Sequence, residues 1–339
     1  MTDTHSTFLA LPESPDEARV VILPVPFDAT TSYGTGTARG PDAILAASAQ
    51  VDLHDHRFGE IHLAGLHMEA PPSEVKRWSS EARSLAAPLL DGLSPDEAVG
   101  PEHEGTLAKI NELCAQAYQH THDVVLRVLD QGRVPIVVGG EHSVSEGAIA
   151  ACADRFGSLG VLQIDAHMDL RDAYQGLSRS HASVMFNAIH EGHVSRLVQV
   201  GIRDYCREEL DLIERLNGEN EGWVSTWYDD DLFDAEASGT GFQRLAERIV
   251  DELPETVYVT VDIDGLDPSL CPNTGTPVPG GLSFRHLSLL LGTLRDSGKR
   301  IVGADLVEVC PDASGTCEWD ANVGARVLYK LCGLVAPSV

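Results

Sequence analysis

Six short runs of aliphatic and β-branched residues recur along the chain, at 19–23, 134–138, 159–164, 197–200, 257–261 and 301–308. Several are apolar without alternation. A strand that is apolar on both faces must be covered on both faces, which is the condition of a parallel sheet enclosed by helices. The stretches between them supply those helices, at 41–48, 105–130, 143–155, 207–216, 242–252, 283–297 and 321–332. The alternation predicts one doubly wound α/β domain over 19–339, preceded by an N-terminal extension at 1–18. The stretch 69–104, rich in Pro, Glu, Ser and Ala, reads as an inserted helix with flexible flanks rather than a second domain. At 339 residues the chain is long enough for a large core.

Charge narrows the partners. Fifty-two acidic residues against 24 basic ones give a net charge of −28. Only Lys76, Lys109, Lys299 and Lys330 are lysines. Such a surface repels phosphate backbones and anionic headgroups, so neither nucleic acid nor a membrane is an expected partner. It suits a small cationic ligand, and equally plain solubility or a salt-rich habitat. No apolar run reaches 18 residues, and Met1–His5 has no basic segment leading into an apolar one, so neither a spanning helix nor a secretory signal is expected. The seven cysteines are odd in number and lack C-x-x-C spacing. Reduced, mostly buried thiols and a cytoplasmic location follow as expectations.

In an open α/β sheet, ligands bind beyond the carboxyl ends of the strands. After 134–138 comes Gly139-Gly140-Glu141-His142-Ser143. After 159–164 comes Asp165-Ala166-His167-Met168-Asp169. At the end of 257–261 comes Asp262-Ile263-Asp264-Gly265-Leu266-Asp267-Pro268. Taken singly, each is an ordinary turn: Asp-x-His usually caps a loop, and Gly-Gly merely bends. Together, three strand ends bring two histidines and four carboxylates to one edge. Residues two apart in extended chain point the same way, so Asp165, His167 and Asp169 converge, as do Asp262 and Asp264. Carboxylates so gathered repel one another unless cations sit among them. Two divalent ions resolve that repulsion and activate water. An all N/O donor set suits Mn²⁺ better than a structural zinc site, with zinc, cobalt, nickel and iron left open.

These motifs resemble the arginase–agmatinase family of ureohydrolases, with G-G-[DE]-H-S, D-A-H-x-D and D-[IV]-D-x-[LF]-D-P intact and in order. The resemblance extends to Pro24-Val25-Pro26-Phe27-Asp28, Thr31-Ser32-Tyr33, Gly40-Pro41, Gly275-Thr276-Pro277 and Gly280-Gly281-Leu282. It implies a three-layer αβα sandwich around a mainly parallel eight-stranded sheet. It implies two Mn²⁺ per subunit, one held by His142, Asp165, Asp169 and Asp262, the other by Asp165, His167, Asp262 and Asp264. It makes His181 a proton shuttle, Glu308 the grip on a guanidinium, and Asp169 the group that aims the attacking water. Without the family context His181 would read as structural and Glu308 as a salt-bridge partner. A homotrimer or homohexamer is also implied.

The stretch from Asp169-Leu170-Arg171 to Ser180-His181-Ala182 is similar to one branch of agmatinases, which cleave agmatine to putrescine and urea. The asparagine that arginases carry at the position of Arg171 is absent. Two loops depart from that branch: Gly34-Thr35-Gly36 stands where many agmatinases have Arg-Pro-Gly, and 182–187 lacks a common arginine. Agmatine is the expected substrate, with guanidinobutyrate, guanidinopropionate, arginine and free guanidine as alternatives. Arg171 would serve a carboxylate tail if it faced the site, and otherwise a structural ion pair. Metal-dependent deacetylases typically show a His-His pair that this chain lacks. A non-catalytic polyamine-binding relative would be expected to have lost a ligand, and all six are present.

Overall fold

A computed structural model describes residues 7–12, 15–93, 97, 99–219 and 222–336. Parts of the expected 1–18 extension and of the 69–104 insertion lie outside them. The chain runs β1 (Val20–Val25), α1 (Gly40–Ser48), β2 (Leu66–Met68), α2 (Ser73–Leu90), α3 (Glu104–Asp130), β3 (Val134–Gly139) and α4 (Ser145–Phe156). It continues through β4 (Leu159–Ile164), α5 (Val184–His190), β5 (Val194–Ile202), α6 (Arg207–Glu219), β6 (Val224–Tyr228), α7 (Asp229–Ala237) and α8 (Phe242–Asp251). The last elements are β7 (Thr256–Asp262), α9 (Phe284–Asp296), β8 (Arg300–Val307) and α10 (Trp319–Val335).

The eight strands form one sheet, ordered β2-β1-β3-β8-β7-β4-β5-β6, in which every named pairing is parallel. Successive residues of a strand point to opposite faces, and two apolar clusters result. Val20, Ile22, Leu162 and Ile164 pack with α1, α8, α9 and α10. Val21, Leu23, Leu159 and Val161 pack with α2 to α6. Helix α8 shows why the sequence makes such a layer: Phe242, Leu245, Ala246, Ile249 and Val250 recur at helical spacing and are all buried. Helix α9 begins at a capping box formed by Ser283 and His286.

Six strands match the expected runs. The two unforeseen ones, β2 and β6, are the edges of the sheet. They are mostly half-buried, so Leu66-His67-Met68 and Val224-Ser225-Thr226-Trp227-Tyr228 lack the apolar density of the centre. Helices α5 and α7 were also unforeseen; they have only seven and nine residues. Helix α2 supplies the expected inserted helix, but it is not peripheral. Ser79 donates to Asp28 Oδ1 (3.1 Å), and Arg83 donates to the Thr31 carbonyl (2.7 Å), bracing the loop after β1. Upstream of β1, Phe8 and Leu9 are buried against the core, and the Leu9 N–H donates to Ser48 Oγ (2.9 Å). All seven cysteines are free, and five are buried. Among the described residues no helix is long and apolar enough to cross a membrane.

The carboxyl ends of β1 and β3 close on each other. Gly140 N donates to the Val25 carbonyl (3.0 Å) and Glu141 N to the Phe27 carbonyl (2.8 Å). A Cβ on Gly140 would collide with Phe27 backbone atoms. Gly140→Ala must therefore push the two strand ends apart, and we expect a loss of about 3 kcal/mol of stability in urea unfolding.

Candidate metal centre and active site

Four adjacent strands at the middle of the sheet, β3, β8, β7 and β4, deliver the candidate residues from their carboxyl ends. His142 follows β3, Glu308 follows β8, and Asp165, His167 and Asp169 follow β4. Asp262 ends β7, and its Oδ1 accepts the Asp264 N–H (2.9 Å), which caps the turn carrying Asp264. Five of the six predicted metal ligands meet in two tight groups, and Asp262 stands beside them, 3.5 Å from His142 Nδ1. Asp169 and Glu308 hold left-handed backbone, φ 56° and 61°, a strain typical of functional positions in residues other than glycine.

His142 Nδ1 lies 2.7 Å from Asp169 Oδ2, 3.1 Å from Asp165 Oδ2 and 3.5 Å from Asp262 Oδ2. His167 Nδ1 lies 3.1 Å from Asp264 Oδ2 and 3.6 Å from Asp165 Oδ1. Two donor trios result, His142–Asp165–Asp169 and Asp165–His167–Asp264, each with its ligand atoms within 4.8 Å of one another. Asp165 belongs to both. Asp262 approaches the first through His142 without joining either tight trio.

The tautomer of His142 tests whether a cation fits. Its Nε2 lies 2.8 Å from Thr260 Oγ1, and that hydroxyl donates its one hydrogen to Asp305 Oδ1 (2.7 Å). Thr260 can then only accept, so Nε2 carries the imidazole hydrogen. Nδ1 is buried among three carboxylates. Burial alone would lower the titration of this ring, but the charges of Asp169 and Asp165 outweigh it and hold His142 well above its ordinary value, so the carboxylates call for positive charge at Nδ1. A divalent ion that takes the place of that proton supplies it, so the donor set fits a metal ion. The carboxylates titrate in opposite directions: burial would raise Asp165, but its bonds to His142 and His167 hold it below the usual range. Burial, then the Asp165 charge, raises Asp169 above the usual carboxylate range. Burial, then Asp264 and Asp165, raises Asp262 well above it.

Glu308 and His181 face the same cleft of about 240 Å³. Glu308 Oε1 accepts the His142 N–H (2.9 Å), while Oε2 is buried without a partner. A Cβ on Gly275 would lie 3.2 Å from Oε2, so any side chain there would press on that oxygen. The His181 N–H donates to Thr30 Oγ1 (3.0 Å), and its Nδ1 lies 3.3 Å from the same oxygen. Thr30 Oγ1 in turn donates to Glu141 Oε1 (2.8 Å). Thr30 accepts from the ring, so His181 carries its hydrogen on Nδ1, and Nε2 is the acceptor. Burial, then His167 and His142, pushes His181 down to about 3, leaving the ring neutral. Arg171 is the only Lys or Arg among the cleft-lining residues, with its guanidinium 5.1 Å from the Tyr174 ring centroid.

Thr30, Glu141, Thr260, Asp305 and Gln163 were not anticipated in these roles. A signal existed for three of them, because a polar residue inside a doubly apolar strand needs a reason. In register across the sheet, Thr226, Gln199, Gln163, Thr260 and Asp305 form one polar row on the face covered by α2 to α6. Gln163 donates to Asp165 Oδ2 (2.9 Å), and Gln199 donates to Gln163 Oε1 (2.8 Å).

The family model described as the arginase family matches residues 18–333. The chain is 33% identical over 320 residues to the N(1)-aminopropylagmatine ureohydrolase of Thermus thermophilus, covering 94% of this chain and 91% of that protein. It is 30% identical over 320 residues to the agmatinase of Pyrococcus horikoshii, covering 94% and 93%. The crystal structure of the agmatine ureohydrolase of Thermoplasma volcanium shares the fold, with a TM-score of 0.71 at 24% identity over 97% of this chain and 94% of that one.

Thr260→Val keeps the shape of the side chain but leaves His142 and Asp305 unpaired. We expect it to destabilise the protein by about 1–3 kcal/mol. Removing such an outer hydrogen bond typically costs roughly 10–100-fold in metal affinity, and calorimetric titration with Mn²⁺ measures it directly.

Proposed function

Because the chain belongs to the arginase family of ureohydrolases, we propose that it hydrolyses a guanidino compound whose linear tail ends in a protonated amine, agmatine being the expected substrate. The observation that carries this reading is the buried, unpartnered Glu308 Oε2 in a cleft rich in carboxylates. A guanidinium offers charge-assisted N–H donors to that oxygen. An amine tail adds positive charge where carboxylates outnumber cations, and the net charge of −28 favours its approach. Relatives that carry this activity in their names are 29–33% identical.

His142, Asp165, Asp169 and Asp262 would hold one divalent ion, and Asp165, His167, Asp262 and Asp264 the other, with Mn²⁺ the best match to the donors. When bound, the ions supply water acidic enough to attack at neutral pH. The side chains do the rest. Glu308 is fixed by the His142 N–H on one oxygen and by the bonds from its own N–H to the Gly140 carbonyl (2.8 Å) and from Thr274 Oγ1 to its carbonyl (2.9 Å). It holds the guanidinium with its free oxygen. Asp169 accepts a hydrogen bond from the attacking water and orients it. Neutral His181 accepts a proton at Nε2 and passes it to the departing nitrogen as the C–N bond breaks. Urea and an amine leave, and water supplies the missing atoms.

Two outcomes test this reading. Protein loaded with Mn²⁺ should carry two ions per chain and release urea from agmatine with kcat/KM at least about a hundredfold above that for arginine, whose carboxylate would enter the site unpaired. Equal or faster turnover of arginine or guanidinobutyrate would overturn the amine-tail assignment. Glu308→Gln should retain both ions while kcat/KM falls by about 3 kcal/mol, or roughly a hundredfold. Near-normal turnover would remove Glu308 from the guanidinium.

A further inference from the structure

A buried ion pair lies behind the loop that carries His181. Glu146, in the first turn of α4, is fully buried. Its Oε1 pairs with Arg179 Nη1, and its Oε2 accepts from Asn187 Nδ2 (3.1 Å). The same Asn187 nitrogen donates to the Ser178 carbonyl (2.9 Å). Arg179 Nη2 donates to Glu191 Oε1 (2.8 Å), and the guanidinium lies 3.9 Å from the centroid of the Tyr118 ring. One carboxylate therefore holds two successive residues of the loop, Arg179 directly and Ser178 through Asn187.

The chain path ties this cluster to the chemistry. Glu146 stands four residues after His142, and Arg179 two residues before His181. Residues 177–180, which lead into His181, belong to no helix or strand, so side-chain contacts set their course. On the cleft side, Thr30 Oγ1 accepts the His181 N–H. On the helix side, Glu146 holds the loop. A buried carboxylate that loses its counter-charge is costly, so Arg179 is kept in place. Its planar fork reaches Glu146 and Glu191 at once, which an ammonium group would not do with the same geometry. Resting on the reading of His181 as the proton carrier, we propose that Glu146 is a positioning residue for His181, acting through Arg179 and Asn187. It links the ring that serves the departing nitrogen to the helix that begins just beyond His142.

The test is a double-mutant cycle on the Mn²⁺-loaded enzyme, with agmatine or whichever of arginine and guanidinobutyrate is turned over faster. Glu146→Gln should keep two ions per chain and change KM by less than about twofold, while kcat falls roughly tenfold or more. In a His181→Ala background the same substitution should cost less than about twofold, because the residue it positions is gone. A purely structural role would lower kcat equally in both backgrounds, which would overturn the proposal. If Glu146→Gln fails to fold, Asn187→Ala, which removes the tie to Ser178, takes its place in the same cycle with the same expected split. Near-normal turnover in His181→Ala alone would instead overturn the reading of His181 as proton carrier. Hydrogen exchange tests the clamp without turnover: amides across 178–183 should exchange at least about tenfold faster in the variant while the strands keep their protection. Unchanged exchange there would overturn the clamp.

Discussion

Buried negative charge crowded onto four adjacent strand ends is the constraint on which the rest of this structure depends. Asp165, Asp169, Asp262, Asp264 and Glu308 are each no more than 5% exposed, and histidines supply most of the nitrogen near them. Ionised carboxylates are not stable in such a place by packing alone. The strand order makes the crowding unavoidable. Because β8 lies between β3 and β7, the last strand in sequence sets Glu308 beside the residues of the first and third motifs. The fold creates an electrostatic problem that divalent cations would solve.

The two histidines with the clearest hydrogen-bond networks are governed by one device used twice. A buried carboxylate takes the hydroxyl hydrogen of a threonine, and the threonine then accepts from the imidazole. Asp305 and Thr260 fix His142 with its hydrogen on Nε2. Glu141 and Thr30 fix His181 with its hydrogen on Nδ1. The open nitrogen is therefore Nδ1 in one ring and Nε2 in the other. Nδ1 of His142 faces the carboxylates, and Nε2 of His181 lies 3.4 Å from Ser32 at the cleft. Glu141 works as an acceptor because Thr30 N, Thr30 Oγ1 and Ser143 Oγ all donate to it. Burial nevertheless outweighs those bonds and lifts it to about 7. An outer residue of this kind chooses the tautomer, and the tautomer chooses the chemistry.

Much of the centre was legible because one requirement governed each residue. Central strands covered on both faces had to be apolar, and side chains two apart at their ends had to converge. Edge strands β2 and β6 answer to no such rule, since half-exposed positions accept His67, Ser225 or Thr226 as readily as valine. Glu141 stood inside a motif already singled out, yet its partner Thr30 is 111 residues away, and nothing local in the sequence connects them. Gln163, Thr260 and Asp305 were visible as polar breaks in apolar runs, but their purpose depends on register between strands that are distant in sequence.

The two kinds of residue also differ in how firmly they are held. Ligands at strand ends inherit the register of the sheet, and the turn carrying Asp264 has an additional tie. The Arg203 guanidinium donates to the carbonyls of Asp264 (2.6 Å), Leu266 (3.2 Å), Val278 (3.0 Å) and Gly201 (2.9 Å). One planar cation thus joins the end of β5 to two loops beyond β7, a task its forked donors suit and a lysine could not perform. Residues that would meet a substrate tail stand on loops instead. Arg171 and Tyr174 occupy a segment in which Ala173 and Gln175 adopt left-handed backbone, and Ser32 precedes the departing Gly34-Thr35-Gly36 stretch. A loop can change length or composition without disturbing sheet register, whereas a strand-end ligand cannot. The fold therefore sets the candidate metal ligands and Glu308 at the ends of four adjacent strands, and the residues that would meet a substrate tail on loops.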